Sequence, residues 1–138
     1  MKPTASSTYL PAALGSALGA VARYAISALV LSLQGPGFPW GTLTVNVAGS
    51  LLIGFFASLL ATDGRFGANH AMRQLILAGF CGGFTTFSIF SLEVLLLLSS
   101  GEIGRAVTYL LLSLVLWLAA VWAGFRMGSF VHRLVYPQ

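Results

Sequence analysis

The chain is poor in charged side chains, and poorest in acidic ones. Of its 138 residues 7% are charged, with three Asp or Glu against seven Lys or Arg, while 57% are hydrophobic. Soluble domains carry about 25% charged residues, so this composition excludes a water-soluble globular protein and predicts an integral membrane protein. It also leaves no paired carboxylates for catalysis, and the sequence shows no nucleophile and base pair and no P-loop.

Cysteine and histidine are almost missing too. Cys81 is the only cysteine, which excludes an intramolecular disulfide. His70 and His132 have no second His, Cys or carboxylate at ligand spacing, which argues against a zinc site. We therefore expect a protein that is not an enzyme and has no nucleic-acid partner. The formal net charge of +4 lies mostly near predicted helix ends, where it anchors the chain in lipid or favours an anionic ligand.

Long apolar runs, by contrast, fill the sequence. A helix that crosses a bilayer needs about 20 apolar residues, and four such runs lie at residues 10–33, 40–61, 75–98 and 105–126. They predict an all-α fold, a single four-helix transmembrane domain over residues 1–138. Four helices can barely bury a polar pathway, so we also expect oligomerisation.

The basic residues give a moderate preference for one orientation. Cytoplasmic loops are enriched in Lys and Arg, which favours a cytoplasmic location for both termini. On that side lie Lys2, Arg65, Arg73, Arg126 and Arg133, against Arg105 on the other.

The first span carries small residues and one arginine on a single helix face. Gly15, Gly19 and Arg23 recur every four residues, and the two glycines form a small-xxx-small motif that allows another helix to approach closely. Arg23 then either snorkels or caps a neighbouring helix, or supplies positive charge to an anion vestibule.

Two further spans carry polar stripes. In the second, Thr42, Asn46 and Ser50 share a face, and a membrane Asn either joins helices or binds a ligand. In the last, Tyr109 and Ser113 follow at an interval of four. They either hydrogen-bond across helices or line a pore. Trp117 comes one turn later, a bulky aromatic where a further hydroxyl could have continued the track.

The third span contains the most unusual stretch, Gly79 to Ser91. Its glycines and hydroxyls predict a helix that breaks near residues 82–86, and freed backbone groups inside a membrane are tolerated against protein or around a polar cavity. Phe84, Phe87 and Phe90 recur every three residues and predict an aromatic track beside the hydroxyls of Ser88 and Ser91.

Glu93 is the only carboxylate placed within a span. It serves either as a partner for an arginine or a hydroxyl, or as a proton or cation relay.

These stretches together resemble the Fluc/CrcB family of fluoride channels. The resemblance rests on the segment Gly19 to Tyr24, on G-T-L-x-V-N at residues 41–46 and on G-G-x-T-T-F-S-x-F-S at residues 82–91. It covers the whole chain in length and in number of spans. It implies passive export of toxic fluoride across the inner membrane, through two pores in an antiparallel, dual-topology homodimer.

The resemblance also implies roles for particular residues. Asn46, Phe87 and Phe90 match pore residues, and Ser88, Tyr109 and Ser113 match polar positions beside them. The break in the third helix matches a central Na⁺ site, held by the backbone carbonyls of Gly82 and Thr85 from both subunits. Thr42, Arg23 and Glu93 also fall on motif positions of the family.

Elementary chemistry is consistent with such a pore. Fluoride is small and strongly hydrated, so a pore must replace its water with hydrogen-bond donors such as amides and hydroxyls. Phe rings presented edge-on offer their positive rim to an anion. Neutral donors also let the ion leave again.

Two other functions stay open from the sequence. A small proton-coupled multidrug exporter shares the size and the four spans, but it depends on a carboxylate in the first span, where this chain has Arg23. Glu93 would have to serve instead. A helix-packing accessory subunit without transport is disfavoured because packing rarely needs so many hydroxyls.

Overall fold

A computed structural model describes residues 5–61 and 70–135 of the chain, and within them all regular structure is helical. The elements in order are α1 (Ala5–Gln34), α2 (Trp40–Ala61), α3 (His70–Arg73), a π-helix (Gln74–Cys81), α4 (Gly82–Phe84), α5 (Phe87–Ser99) and α6 (Ile103–Val135).

Four segments of this part of the chain are long and apolar enough to cross a membrane: Tyr9–Gln34, Trp40–Leu60, His70–Ser99 and Ile103–Val135. The prediction of an all-helical chain with four segments able to cross a membrane is thereby confirmed for these residues. Lys2 and Arg65, which enter the orientation preference, lie outside the described residues.

Helix α1 packs on the π-helix and α4 through glycines. A Cβ atom on Gly15 or Gly19 would collide with backbone atoms of residues 75–84, and one on Gly83 would collide with the backbone of Ser16. Only residues without a side chain allow two helix backbones to come so close. The close approach predicted from the Gly15 and Gly19 spacing is confirmed.

Helix α2 packs along α6 in the same manner. A Cβ on Gly54 would meet the backbone of Val121, and one on Gly124 would meet that of Leu51. Near the end of this contact Ser58 and Ser129 share a hydrogen bond of 2.7 Å. The pairing of α2 with α6 brings the two polar stripes of the sequence to the same interior.

The third crossing is interrupted. The helix of α4 ends at Phe84, Thr85 (φ −84°, ψ 160°) and Thr86 (φ −149°, ψ 122°) are extended, and α5 begins at Phe87. The preceding eight residues, Gln74–Cys81, form a π-helix, which the sequence did not predict.

The interruption splits the expected aromatic track. Phe84 lies before the extended residues and is buried, with its ring stacked on Phe80 at a centroid distance of 5.7 Å. Phe87 and Phe90 lie after them on α5. The three-residue repeat therefore does not place Phe84 on the same face as the other two, because Thr85 and Thr86 reset the helix rotation.

The loop between α1 and α2 is tied to the start of α6. Gly35 has φ +74°, a left-handed conformation that favours glycine. The Arg105 guanidinium donates to the Gly37 carbonyl and pairs with Glu102. Helix α6 then continues nine residues past Arg126, where its apolar run was predicted to end, and stops at Val135.

Candidate functional site

Asn46 of α2 holds the extended residues in place. Its Nδ2 donates to the Thr86 carbonyl at 2.9 Å, and its Oδ1 accepts from the Thr86 N–H at 2.7 Å. Both residues are buried. One amide side chain thus satisfies the two backbone groups of Thr86 that a continuous helix would have paired internally.

Thr86 also caps the helix that follows. Its side-chain oxygen accepts from the Ile89 N–H at 3.2 Å, which is the usual arrangement at a helix N-cap. Sequence reasoning singled out Asn46 but not Thr86 as its partner. The sequence does contain a signal for this cap, since a Thr stands at the start of an apolar helical run, three residues before Ile89.

These bonds divert two donors from their helical acceptors. In an α-helix the Thr86 N–H would bond the Gly82 carbonyl, and the Ile89 N–H would bond the Thr85 carbonyl. Asn46 and the Thr86 side chain accept them instead. The carbonyls of Gly82 and Thr85, predicted to hold a cation, thereby lose their regular helical partners.

Glu93 of α5 is held by two hydroxyls from two other helices. Thr42 Oγ1 donates to its Oε1 and Tyr109 Oη donates to its Oε2, each at 2.7 Å. Thr42 and Tyr109 are both buried. Of the two roles considered for Glu93, the structure shows the hydroxyl partnership.

Phe90 is the centre of an aromatic cluster. Its ring lies 5.1 Å from that of Tyr109, 4.8 Å from that of Trp117 and 5.7 Å from that of Phe87, measured between centroids. Phe90 is 7% exposed, whereas Phe87 is 72% exposed. The two Phe rings expected to line the pore are therefore in contact, one inside the helix bundle and one on its surface.

Two buried donors of α6 lack a partner within the part of the chain that the structure describes. They are the Ser113 hydroxyl and the Trp117 indole N–H. Ser113 is fully buried and lies one helical turn from both Tyr109 and Trp117.

Two cavities reach this interior. One of about 570 Å³ lies between the end of α1, the loop at residues 35–39 and α5, and both Thr42 and Glu93 line it. The other, of about 250 Å³, is lined by residues that include Asn46, Ser50, Thr86, Phe87 and Trp117. Glu93 and Asn46 thus face different cavities.

The remaining predicted residues lie toward the surface. Ser88 is exposed on α5, and Gly82 is exposed with no described atom within 4 Å of where a Cβ would stand. Arg23 is partly buried on α1, one turn before Ser27, which lines the larger cavity.

Comparison with known proteins identifies the family to which the chain belongs. Residues 10–125 match the family described as CrcB-like protein, Camphor Resistance (CrcB). A protein of Opitutus terrae named fluoride-specific ion channel FluC is 54% identical over 118 residues, which cover 86% of this chain and 89% of the relative. The chain belongs to the CrcB family.

Other relatives in the CrcB family carry the same name. FluC of Methylocella silvestris is 49% identical over 126 residues, 91% of this chain and 96% of the relative. FluC 1 of Rhodopseudomonas palustris is 46% identical over 126 residues, 91% of this chain and 89% of the relative. The resemblance read from the sequence motifs is confirmed, and these relatives are named as ion channels, a class without enzymatic activity.

Proposed function

We propose that this chain is a fluoride-selective passive ion channel that exports fluoride from the cytoplasm across the inner membrane. The observation that carries the proposal is the name shared by relatives at 46–54% identity, fluoride-specific ion channel FluC. The fold supports the proposal, because polar side chains of α2, α5 and α6 meet in the space between helices that are otherwise apolar.

The donors of the proposed pore are uncharged. Asn46 has two amide protons, and one of them serves Thr86, which leaves the second for the ion. The hydroxyls of Ser113 and Ser88 add further donors. Neutral donors bind an anion firmly enough to replace part of its water and weakly enough to release it.

Phe87 and Phe90 form the aromatic part of the pore. Aromatic rings carry a positive edge, and the tilt of 45° between these two rings allows edges to be turned toward a passing anion. They also narrow the path.

Thr42 and Tyr109 act on the pore through Glu93. Because both hydroxyls donate to this carboxylate, they fix its position at the wall of the larger cavity. That cavity is the proposed vestibule. Ser27 lines it, and Arg23 lies one helical turn before Ser27 on α1. A positive side chain near the entrance would raise the local concentration of anions.

The channel is proposed to be an antiparallel homodimer with two pores. Phe87, Ser88 and Gly82 are all exposed on one protomer, and pore residues that face outward are consistent with a second subunit that covers them. Thr85 and Thr86 also stand near the centre of the His70–Ser99 span, which supports a helix break at the middle of the membrane.

A structural Na⁺ at the dimer centre fits the backbone of this break. Carbonyl oxygens are suitable ligands for Na⁺. In a regular helix the carbonyls of Gly82 and Thr85 would accept hydrogen bonds from backbone N–H groups, but here those N–H groups donate to the side chains of Asn46 and Thr86. Two carbonyls from each subunit would hold the ion. When bound, it supplies a fixed positive charge that does not titrate.

The proposal is tested by fluoride efflux from liposomes that contain the purified protein. Efflux should proceed without any imposed proton gradient. Efflux that requires the gradient, and that a Glu93→Gln variant loses, would instead favour the proton-coupled exporter, which the family match does not favour.

A further inference from the structure

The last two turns of α6 carry a cavity with a basic and aromatic lining. This α6 cavity, of about 280 Å³, is lined by Phe125, Arg126, Ser129, Phe130 and Arg133. The lining residues recur at intervals of four along the helix, which places them on one side of it. Neither the proposed pore nor the proposed vestibule uses any of them.

The α6 cavity lies at the level where lipid headgroups begin. Helix α6 has 33 residues and is therefore about 50 Å long, longer than the hydrocarbon core of a bilayer, about 30 Å. Ser129 shares its 2.7 Å hydrogen bond with Ser58, three residues before α2 ends at Ala61. The Arg126 guanidinium stands 5.7 Å from the centre of the Trp122 ring, and Trp is enriched at membrane interfaces.

The two arginines of the α6 cavity are not neutralised by a carboxylate side chain among residues 5–61 and 70–135. Those ranges contain two carboxylate side chains, Glu93 and Glu102. Glu93 receives two hydroxyls, and Glu102 pairs with Arg105 at the opposite end of α6. Arg126 and Arg133 therefore present two positive charges to any molecule that enters the cavity.

The lining combines two kinds of chemistry. A guanidinium group matches the oxygens of a phosphate with paired N–H donors. The two arginines are seven residues apart, about 10 Å along the helix, so two long side chains can meet at one phosphate. Phe125 and Phe130 are 51% and 62% exposed and offer apolar surface beside it. A phospholipid with an anionic headgroup has a phosphate and an apolar part joined in one molecule, whereas a free anion has only the first.

We propose that the α6 cavity binds an anionic phospholipid. Its phosphate lies between Arg126 and Arg133, and the upper part of its acyl chains lies against Phe125 and Phe130. Basic pockets at the ends of membrane helices suit such headgroups. This inference goes beyond transport and stands whether or not the chain conducts fluoride.

The test is a lipid titration of the full-length protein in a neutral detergent, with bound lipids counted by native mass spectrometry. The parent should bind phosphatidylglycerol about tenfold or more tightly than phosphatidylcholine, whose headgroup is neutral overall. The double variant Arg126→Gln and Arg133→Gln should lose this preference, because each arginine near a headgroup contributes severalfold to the affinity.

Arg105→Gln is the matched control. It removes the same charge from the same helix, but from an arginine that already has a carboxylate partner. This variant should keep the preference of the parent. A loss equal to that of the double variant would show attraction by net charge alone and would overturn the inference.

A competition with inorganic phosphate separates a lipid site from a site for free anions. An equal concentration of inorganic phosphate should leave phosphatidylglycerol bound, because it cannot use the two Phe rings. Displacement of the lipid under these conditions would contradict the assignment.

The parent protein alone can also refute the inference, by binding the two lipids equally. So can a folded double variant that retains the preference. If the double variant does not fold, Arg133→Gln decides, since it changes one exposed side chain near the end of α6. This single change should weaken phosphatidylglycerol binding about fivefold, and unchanged binding would overturn the inference.

Discussion

At the scale of single residues, Asn46 shows how one side chain can serve both fold and function. A reading of the sequence alone offers two roles, a bond between helices or a ligand for the ion. The structure shows the first, since Asn46 joins α2 to the Thr86 backbone with both ends of its amide. One amide proton remains, so the proposed role toward fluoride is compatible with the structural one.

Replacing Asn46 with Asp should damage both roles. Asp cannot donate to the Thr86 carbonyl when ionised, and it places a negative charge in the proposed path of an anion. We expect fluoride efflux to fall by at least ~100-fold, because like charges a few ångströms apart in a protein repel strongly. Thermal unfolding in detergent should also occur at a lower temperature.

Asn69→Asp is the control for this change, since it alters the charge equally in the connection predicted between the second and third spans. Undiminished efflux through Asn46→Asp would remove Asn46 from the pore.

The sequence predicted which residue types converge, but not all of their partners. The spacing of Thr42 with Asn46 and of Tyr109 with Ser113 places each pair on one helix face. It cannot show that Thr42 and Tyr109 meet at Glu93, because that contact depends on how α2, α5 and α6 are rotated against one another. The Asn46 contact with Thr86 escaped prediction for the same reason.

At the scale of elements, the third crossing combines unlike pieces. A π-helix, a short α-helix and two extended residues precede α5, and α1 lies against the first two through Gly15, Gly19, Gly79 and Gly83. In a membrane, helices associate mainly by close packing. The glycines of α1 and of the π-helix therefore position the interruption that follows.

The contact at Gly79 should not tolerate even a methyl group. A Cβ there would stand 2.7 Å from the Ala12 carbonyl oxygen and 2.9 Å from the Gly15 Cα, both of which are backbone atoms that cannot turn away. We expect Gly79→Ala to lower the free energy of unfolding by about 1–3 kcal/mol, measured by denaturant titration in detergent.

Gly104→Ala is the matched control, because nothing described lies within 4 Å of its Cβ position. In a helix, this change should be neutral or stabilise by about 0.5–1 kcal/mol. Equal stabilities for the two variants would contradict the close contact at Gly79.

The number of membrane crossings was easier to predict from the sequence than the local helix geometry within them. Hydropathy alone indicates four crossings, because a membrane requires long apolar helices. The π-helix leaves no periodic signal, and the three-residue repeat of Phe84, Phe87 and Phe90 suggested one face where the structure has two. Helix α6 extends beyond its apolar run, because hydropathy marks the lipid boundary and not the end of the helix.

At the scale of the whole molecule, a single chain leaves residues of the proposed pore uncovered. Phe87 is 72% exposed, and Gly82 has open space where a side chain would stand. Both flank the interruption of the third crossing. A second subunit over this surface would complete the pore and bring two pairs of carbonyls together.

Gly82→Leu should leave the fold of the single chain intact and disrupt the proposed dimer. Within the chain nothing described lies within 4 Å of the added Cβ, and Gly82 is exposed, so the variant should insert and keep its helix content by circular dichroism. In the proposed dimer it would stand between the subunits, and we expect cross-linking in liposomes to shift from dimer to monomer with loss of fluoride efflux. Gly104→Leu, also in open space, should remain a dimer. A dimeric, active Gly82→Leu variant would contradict the proposed interface.

Passive transport that selects fluoride over chloride is most directly tested by comparing the two anions in one assay. Liposomes that contain the purified parent protein are loaded with equal concentrations of fluoride and chloride, and the efflux of each ion is followed with its own electrode in the absence of a proton gradient. The liposomes should lose fluoride rapidly and retain chloride. Equal efflux of the two ions, or no efflux of either, would contradict it.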